Sequence, residues 1–233
     1  MDFDKRKEGI FSALTSLVFP EICIYCQVEF APLCLKCQQF WLAPVQRRYV
    51  KGLAVNSTLA YNAASSRIVI QAKESRNRVA QFWMARALST ALEKFELENS
   101  ALSISHCLLV PIPSTKSAIR KRGGSFLHPI LDQLVELQKQ KNGVRWRWKE
   151  LLIHQKSIRD QSELSYTARQ SNMASAFRLR SDDLVRERPI LLIDDVLTTG
   201  ATLDSAFRAL RERNLTVLGA ATVCASAHRL LIR

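Results

Sequence analysis

The feature that most constrains this chain is Pro189-Ile-Leu-Leu-Ile-Asp-Asp-Val-Leu-Thr-Thr-Gly-Ala-Thr202. Ile190 to Ile193 form a four-residue apolar run, opened by a proline and closed by two acids. That is the pattern of a central parallel strand, covered on both faces, whose C-terminal end meets a crevice. Thr198, Thr199, Gly200, Ala201 and Thr202 then offer hydroxyls and closely spaced backbone N–H groups, and Gly200 lets the backbone approach a ligand with no Cβ in the way. Leu203, Ala206, Phe207 and Leu210 recur at helical spacing, so the loop feeds a helix whose positive dipole end faces whatever the loop holds. An anion suits that place.

Adjacent acids, Asp194 and Asp195, beside an anion site are reconciled by a sugar phosphate. Carboxylates accept hydrogen bonds from vicinal ribose hydroxyls or coordinate Mg²⁺, while the loop takes the 5′-phosphate. The stretch resembles the phosphoribosyl pyrophosphate motif of type I phosphoribosyltransferases: four apolar residues, two acids, then Thr-Thr-Gly-Ala-Thr. A Walker B strand also ends in acids, but it requires a Gly-x-x-x-x-Gly-Lys-Ser/Thr loop, which this sequence lacks. A purely structural corner would leave paired acids at a buried strand end with nothing to engage them, which is costly.

The 233 residues, 47% of them hydrophobic, suffice for one α/β core and a small accessory module. A formal net charge of +13 favours polyanionic partners, nucleic acid or phosphorylated ligands, without choosing between them. No apolar run approaches a membrane span. Lys5, Arg6 and Lys7 ahead of Phe11 to Phe19 mimic a signal peptide, but Asp2, Asp4 and Glu8 are mixed in and Pro20-Glu21 replaces a cleavage site. Ile10, Phe11, Leu14, Leu17 and Val18 instead make one face of an amphipathic helix, and the expectation is a cytoplasmic protein with a docking helix.

Four cysteines fall in one window, Cys23, Cys26, Cys34 and Cys37, as two Cys-x-x-Cys pairs. Each pair supplies two thiolates from one tight turn, and two turns close a tetrahedral Cys₄ site of the kind that holds structural Zn²⁺. Disulfides are the alternative, but those belong to exported proteins. Cys107 and Cys224 sit in apolar runs and read as core thiols.

Residues 1–50 read as the amphipathic helix and zinc knuckle, and residues 51–233 as the larger domain. Leu53 to Tyr61 suggests one or two short strands, Ser65 to Glu74 a helix, and Val79 to Phe95 a longer one. Cys107 to Pro113 is a second buried strand, ended by its prolines. A flexible basic loop is expected next: Lys116, Arg120, Lys121 and Arg122, followed by Gly123-Gly124, suit a pyrophosphate or a nucleic-acid backbone, or form a solvated surface. Phe126 to Leu137 returns to a helical stripe. In Arg145-Trp-Arg-Trp-Lys149 the cations alternate with Trp146 and Trp148, which either stack on bases or, more plainly, pack an edge strand onto the domain. Gln155 to Leu179 is polar and carries no functional signal, and Thr216 to Ala225 is a last buried strand.

Taken in order, these pieces resemble the ComF/ComFC family, phosphoribosyltransferase-like proteins associated with bacterial DNA uptake. The likeness spans the two Cys-x-x-Cys pairs, the Tyr61 to Lys73 segment, Val110-Pro-Ile-Pro113, Arg122-Gly123, Gln161 and Leu164 with Arg169, Asn172, Ala176 and Phe177, and the Asp194-Asp195 loop. It implies a type I phosphoribosyltransferase-like α/β fold, a parallel sheet flanked by helices, bearing an N-terminal Cys₄ zinc knuckle. It further implies handling of incoming single-stranded DNA in natural transformation, with a DNA-uptake helicase and recombination-loading proteins as partners. On this reading Asp194 and Asp195 bind ribose or Mg²⁺, Thr198 to Thr202 bind phosphate, and Lys116, Arg120, Lys121 and Arg122 bind pyrophosphate or DNA phosphates. Where the family has Arg-Gly-Phe-Asn-Gln, this chain has Arg122-Gly-Gly-Ser-Phe126, without the two amides. Two other functions fit the same residues: an active phosphoribosyltransferase, in which Mg²⁺ and cations neutralise departing pyrophosphate, and a module that senses the nucleotide.

Overall fold

The computed structural model describes residues 22–29, 31–42, 44–98, 104–143, 146–155, 176–180 and 188–226. In chain order they form a one-turn helix α1 (Leu35–Gln38), strands β1 (Gln46–Val50) and β2 (Leu53–Tyr61), and helices α2 (Ala63–Glu74) and α3 (Arg78–Glu98). Then come β3 (Leu108–Pro111), α4 (Lys116–Arg122), α5 (Leu127–Asn142), β4 (Arg147–Trp148), β5 (Leu152–His154) and β6 (Phe177–Leu179). The described chain finishes with β7 (Ile190–Leu197), α6 (Ala201–Arg211) and β8 (Val217–Ser226). Six strands share one sheet in the order β1-β2-β8-β7-β3-β4, parallel except for the β1–β2 pair, while β5 and β6 form a separate antiparallel pair.

Ile190 to Ile193 are buried on both faces, as a central parallel strand requires. Side chains alternate across the sheet. Leu109, Leu191, Ile193 and Val223 join one apolar cluster with residues of α2, α3 and α5, whereas Val110, Ile190, Leu192 and Ala220 join another with Leu203, Ala206 and Leu210 of α6. The result is an α/β fold whose mostly parallel sheet carries helices on both faces. Ala87 and Ala91 let α3 lie close enough to β2 for Thr58 Oγ1 and Asn56 Nδ2 to donate to their carbonyls, at 2.6 and 3.1 Å, so buried polar groups on the strand are satisfied by the helix.

Two expectations are corrected. The strand thought to close at Ile193 runs on to Leu197, because β8 continues beside it and pairs Asp194 with Thr222 and Leu197 with Ala225; the two acids therefore lie within the strand. The basic segment is a helix, α4, and not a flexible loop: Thr115 Oγ1 accepts from the Ala118 N–H at its start, and Gly123, with φ of 68°, ends it in the left-handed conformation. Trp148 lies on the sheet's edge strand, as its alternation predicts. The expected amphipathic helix over Ile10 to Val18, Arg145, and the positions Gln161, Leu164, Arg169 and Asn172 lie outside the described residues. Among the described residues, no helix is long and apolar enough to cross a membrane.

Candidate sugar-phosphate cleft and cysteine cluster

β3 and β7 are neighbours, yet the chain leaves them toward opposite faces, from β3 toward α5 and from β7 into α6. Such a switch point opens a crevice at the C-terminal ends of the strands. A cleft of about 540 Å³ lies there, lined by Asp194, Asp195, Thr198 and Thr202 from the β7 side, by Ile112 to Thr115 after β3, and by Lys73, Arg122 and Phe126.

Gly200 is required twice at the turn into α6. Its φ of 78° is left-handed, and a Cβ there would sit 2.7 Å from both methyls of Val50 on β1. It is also the N-cap of α6 and offers no side chain to the first-turn amides. The Ala201 N–H has only a long 3.4 Å bond to Thr199 Oγ1. These amides and the exposed Thr198, Thr199 and Thr202 hydroxyls ring the end of the helix dipole, a ready cradle for phosphate. Thr198 and Thr202 line the cleft itself.

The acids differ in state. Asp195 is 7% exposed and its Oδ2 is ion-paired with Lys73 Nζ. Asp194 accepts the Asp195 N–H at 2.9 Å, but burial first, and the charge of Asp195 second, hold its carboxyl well above the usual carboxylate range. Asp194 is thus biased toward its protonated form, beside a carboxylate that is ion-paired to Lys73. The pair can donate one hydrogen bond and accept others, a match for vicinal hydroxyls. Cys224, whose Sγ lies 3.8 Å from the Asp195 carbonyl oxygen, is pushed up to about 12 by burial and then by Asp195, and Cys107 to about 11 by burial; both are core thiols, as read from the sequence.

Of the four basic candidates, only Arg122 lines the cleft, where its guanidinium lies 5.5 Å from the Phe126 ring and 3.4 Å from Glu74. Lys121 pairs with Glu74 at 3.5 Å, Arg120 is exposed, and Lys116 lines a neighbouring cavity of about 390 Å³ with Arg178 and Arg180. Lys73 carried no assigned role in the sequence reading. It lies one helical turn beyond buried Val69, and its ammonium sits 4.7 Å over Phe126. A cation on the apolar face of a helix was the available signal. Trp146 is 2% exposed in the core, so neither of its ring faces is open to a base. Trp148 is half-buried, 4.9 Å from the His128 ring, and its Nε1 donates to Asp132 at 3.1 Å.

Apart from the cleft, the Sγ atoms of Cys23, Cys26, Cys34 and Cys37 all lie within 4.8 Å of one another, with Cys26 and Cys34 at 3.6 Å. A tetrahedron with metal–sulfur bonds of about 2.3 Å has sulfur edges near 3.8 Å, so the cluster is the right size for one ion. Burial raises the Cys23 thiol, but the backbone N–H groups of Cys26, Cys34 and Tyr25 bring it down to about 6; burial and its sulfur neighbours push Cys37 up. One thiolate thus opposes the next, and a divalent cation would relieve that. The four cysteines can hold a metal ion.

Residues 118–231 match the family model of the phosphoribosyl transferase domain. Among solved structures, the chain is similar to an adenine phosphoribosyltransferase (13% identity, 83% of this chain and 90% of that one, TM-score 0.40). It is also similar to the Saccharomyces cerevisiae adenine phosphoribosyltransferase (13%, 83% and 89%, TM-score 0.40) and to the Mycobacterium tuberculosis H37Rv orotate phosphoribosyltransferase (12%, 83% and 83%, TM-score 0.34). No curated protein matches the chain.

Proposed function

We propose that the cleft binds phosphoribosyl pyrophosphate and that the chain is a phosphoribosyltransferase-fold protein built around that ligand. A phosphoribosyl transferase domain over residues 118–231 supports this. The observation that carries it is the placement, at one switch point, of two adjacent acids beside a helix start with no side-chain cap. Asp194 and Asp195 take the ribose hydroxyls, and the turn from Thr198 to Thr202 takes the 5′-phosphate. Lys73 already occupies Asp195, so the acids suit ribose better than a directly bound Mg²⁺, which would arrive on the pyrophosphate. Arg122 is the cation in place to offset pyrophosphate charge if the ligand is turned over.

Calorimetry with phosphoribosyl pyrophosphate and Mg²⁺ tests the pocket. Thr199→Ala and Asp195→Ala should each remove contacts worth about 1.5–3 kcal/mol, a ten- to hundredfold loss of affinity. Absence of wild-type binding at millimolar ligand would overturn the reading. Pyrophosphate release with each common nucleobase separates an active transferase from a binding protein.

A second reading, cytoplasmic handling of single-stranded DNA during uptake, draws on the net charge of +13 and on exposed Lys116, Arg120 and Lys121 along α4 beside the cleft. The ComF/ComFC resemblance adds the helicase and recombination-loading proteins as partners. Anisotropy titrations should show steep salt dependence that flattens when those cations are replaced. No binding at low salt removes the DNA role.

A further inference from the structure

Behind the wall formed by Arg122 and Phe126 lies a second cavity, of about 360 Å³, which the sugar-phosphate reading does not use. Its lining includes Lys73, Arg76, Arg78, Arg122 and His128, and it contains no carboxylate. Lys73, Arg122 and His128 are met by Asp195, Glu74 and Glu150 from outside the lining, whereas Arg76 and Arg78 pair with no carboxylate among the described residues, so the cavity carries uncompensated positive charge.

Two polar groups there are left without partners. Gln81 is 5% exposed and lines the cavity, and its side-chain amide makes no hydrogen bond among the described residues. The Nε of Arg122 is buried and likewise has no acceptor. A buried donor left without an acceptor is costly, so the Arg122 Nε calls for an occupant, while the Gln81 amide lines the same cavity with no protein partner to compete for it.

The backbone keeps the cavity open. Gly123 and Gly124 have φ of 68° and 154°, and a Cβ on Gly123 would meet Arg76 Nη2 at 3.2 Å. Arg76, itself at a left-handed φ of 50°, donates from Nη2 to the Arg122 carbonyl oxygen, which fixes its guanidinium against that turn. A side chain on residue 124 would start 3.8 Å from the same guanidinium and project into its surroundings. Arg78 opens α3 and pairs with no carboxylate among the described residues.

We propose that this cavity is a phosphate-binding site separate from the sugar-phosphate cleft. Arg76 and Arg78 supply the charge, and the Gln81 amide and Arg122 Nε donate to the phosphate oxygens. The phosphate is either free or an ester within a nucleic-acid strand, and both present the same tetrahedral oxygens to this donor set. Arg122, facing both cavities, becomes the shared wall between two anions.

The test is titration of the intact protein with inorganic phosphate, followed by ³¹P line broadening, and in parallel with an oligothymidylate strand at low salt. In a Thr199→Ala background, which weakens the phosphate cradle at the start of α6, phosphate binding should persist, and Gln81→Leu and Arg78→Ala should each weaken that remaining binding by about tenfold. Gln81→Glu, of equal size, places a repelling charge at the same point and keeps the test decisive if the leucine variant does not fold. Loss of strand affinity in Arg78→Ala identifies an ester as the ligand, and loss for inorganic phosphate alone identifies free phosphate. The site is overturned if wild type shows no phosphate binding at millimolar concentration, if none of the three cavity variants changes either titration, or if Thr199→Ala abolishes phosphate binding. None of these outcomes depends on the cleft binding phosphoribosyl pyrophosphate, which is measured separately by calorimetry.

Discussion

The cysteine cluster and the sugar-phosphate cleft both gather groups that repel one another, and they restrain them differently. In the cleft, the two acids are held by a strand paired on both sides, with Lys73 and the Asp195 N–H already facing the carboxylates. In the cluster, four sulfurs converge from a turn and a single helical turn, and one thiolate only makes the next harder to form. The sheet builds the cleft before any ligand arrives. The cluster would gain its full stability from an ion.

The largest effect should therefore come from the cluster. Chelation, or Cys23→Ser, should lower stability by more than about 3 kcal/mol, a fraction of the roughly 10–16 kcal/mol apparent for structural Zn²⁺ in small fingers, since Cys23, Cys37 and Trp41 also pack into the main apolar cluster. Metal analysis with thermal melts checks this. Unchanged melting of a metal-free protein would put the two sites on the same footing.

A smaller loss is expected at the cleft from Gly200→Ala. The left-handed φ costs about 1–2 kcal/mol, and the clash with the Val50 methyls adds about 1–3 kcal/mol. Val50→Ala should recover part of the second component, so a double-mutant cycle by chemical denaturation should show coupling. Strict additivity would mean that β1 does not support the turn.

The smallest effect concerns Asp194. Burial and Asp195 raise its folded pKa above the unfolded value, so the folded state binds more protons between the two and stability falls as pH rises through that window. Asp194→Asn should flatten the decline and raise stability at neutral pH while weakening ribose binding. Melts across the acidic to neutral range check the sign, and an unchanged slope would show that the acids are not strained.

How much of this was legible depended on how local each cause is. Ile190 to Ile193, the Cys-x-x-Cys pairs and Gly200 were readable because composition and spacing alone dictate their setting. The continuation of β7 past Asp195 was not, because it depends on β8 lying alongside. The helical basic segment was hidden by its cations, although Thr115 and Gly123 were its caps. Lys73 and Phe126 acquired a role only when α2 and the turn after α4 met over Asp195. The two tryptophans share one face and looked equivalent in sequence; that Trp146 is sealed in the core while Trp148 stays half-buried depends on how the edge strand sits beside β3.

The pairing of β2 with β8 bears on how the chain folds. Ser57 and Thr222 share a 2.6 Å hydroxyl contact across 165 positions of sequence. β2 is made well before β8, with β1 as its sheet partner, and its other edge waits until β8 has appeared. Closing so long a loop before any contact rewards it is slow, so the sheet should assemble late and as a unit. Until then the unpaired edge of β2 is open to a wrong strand.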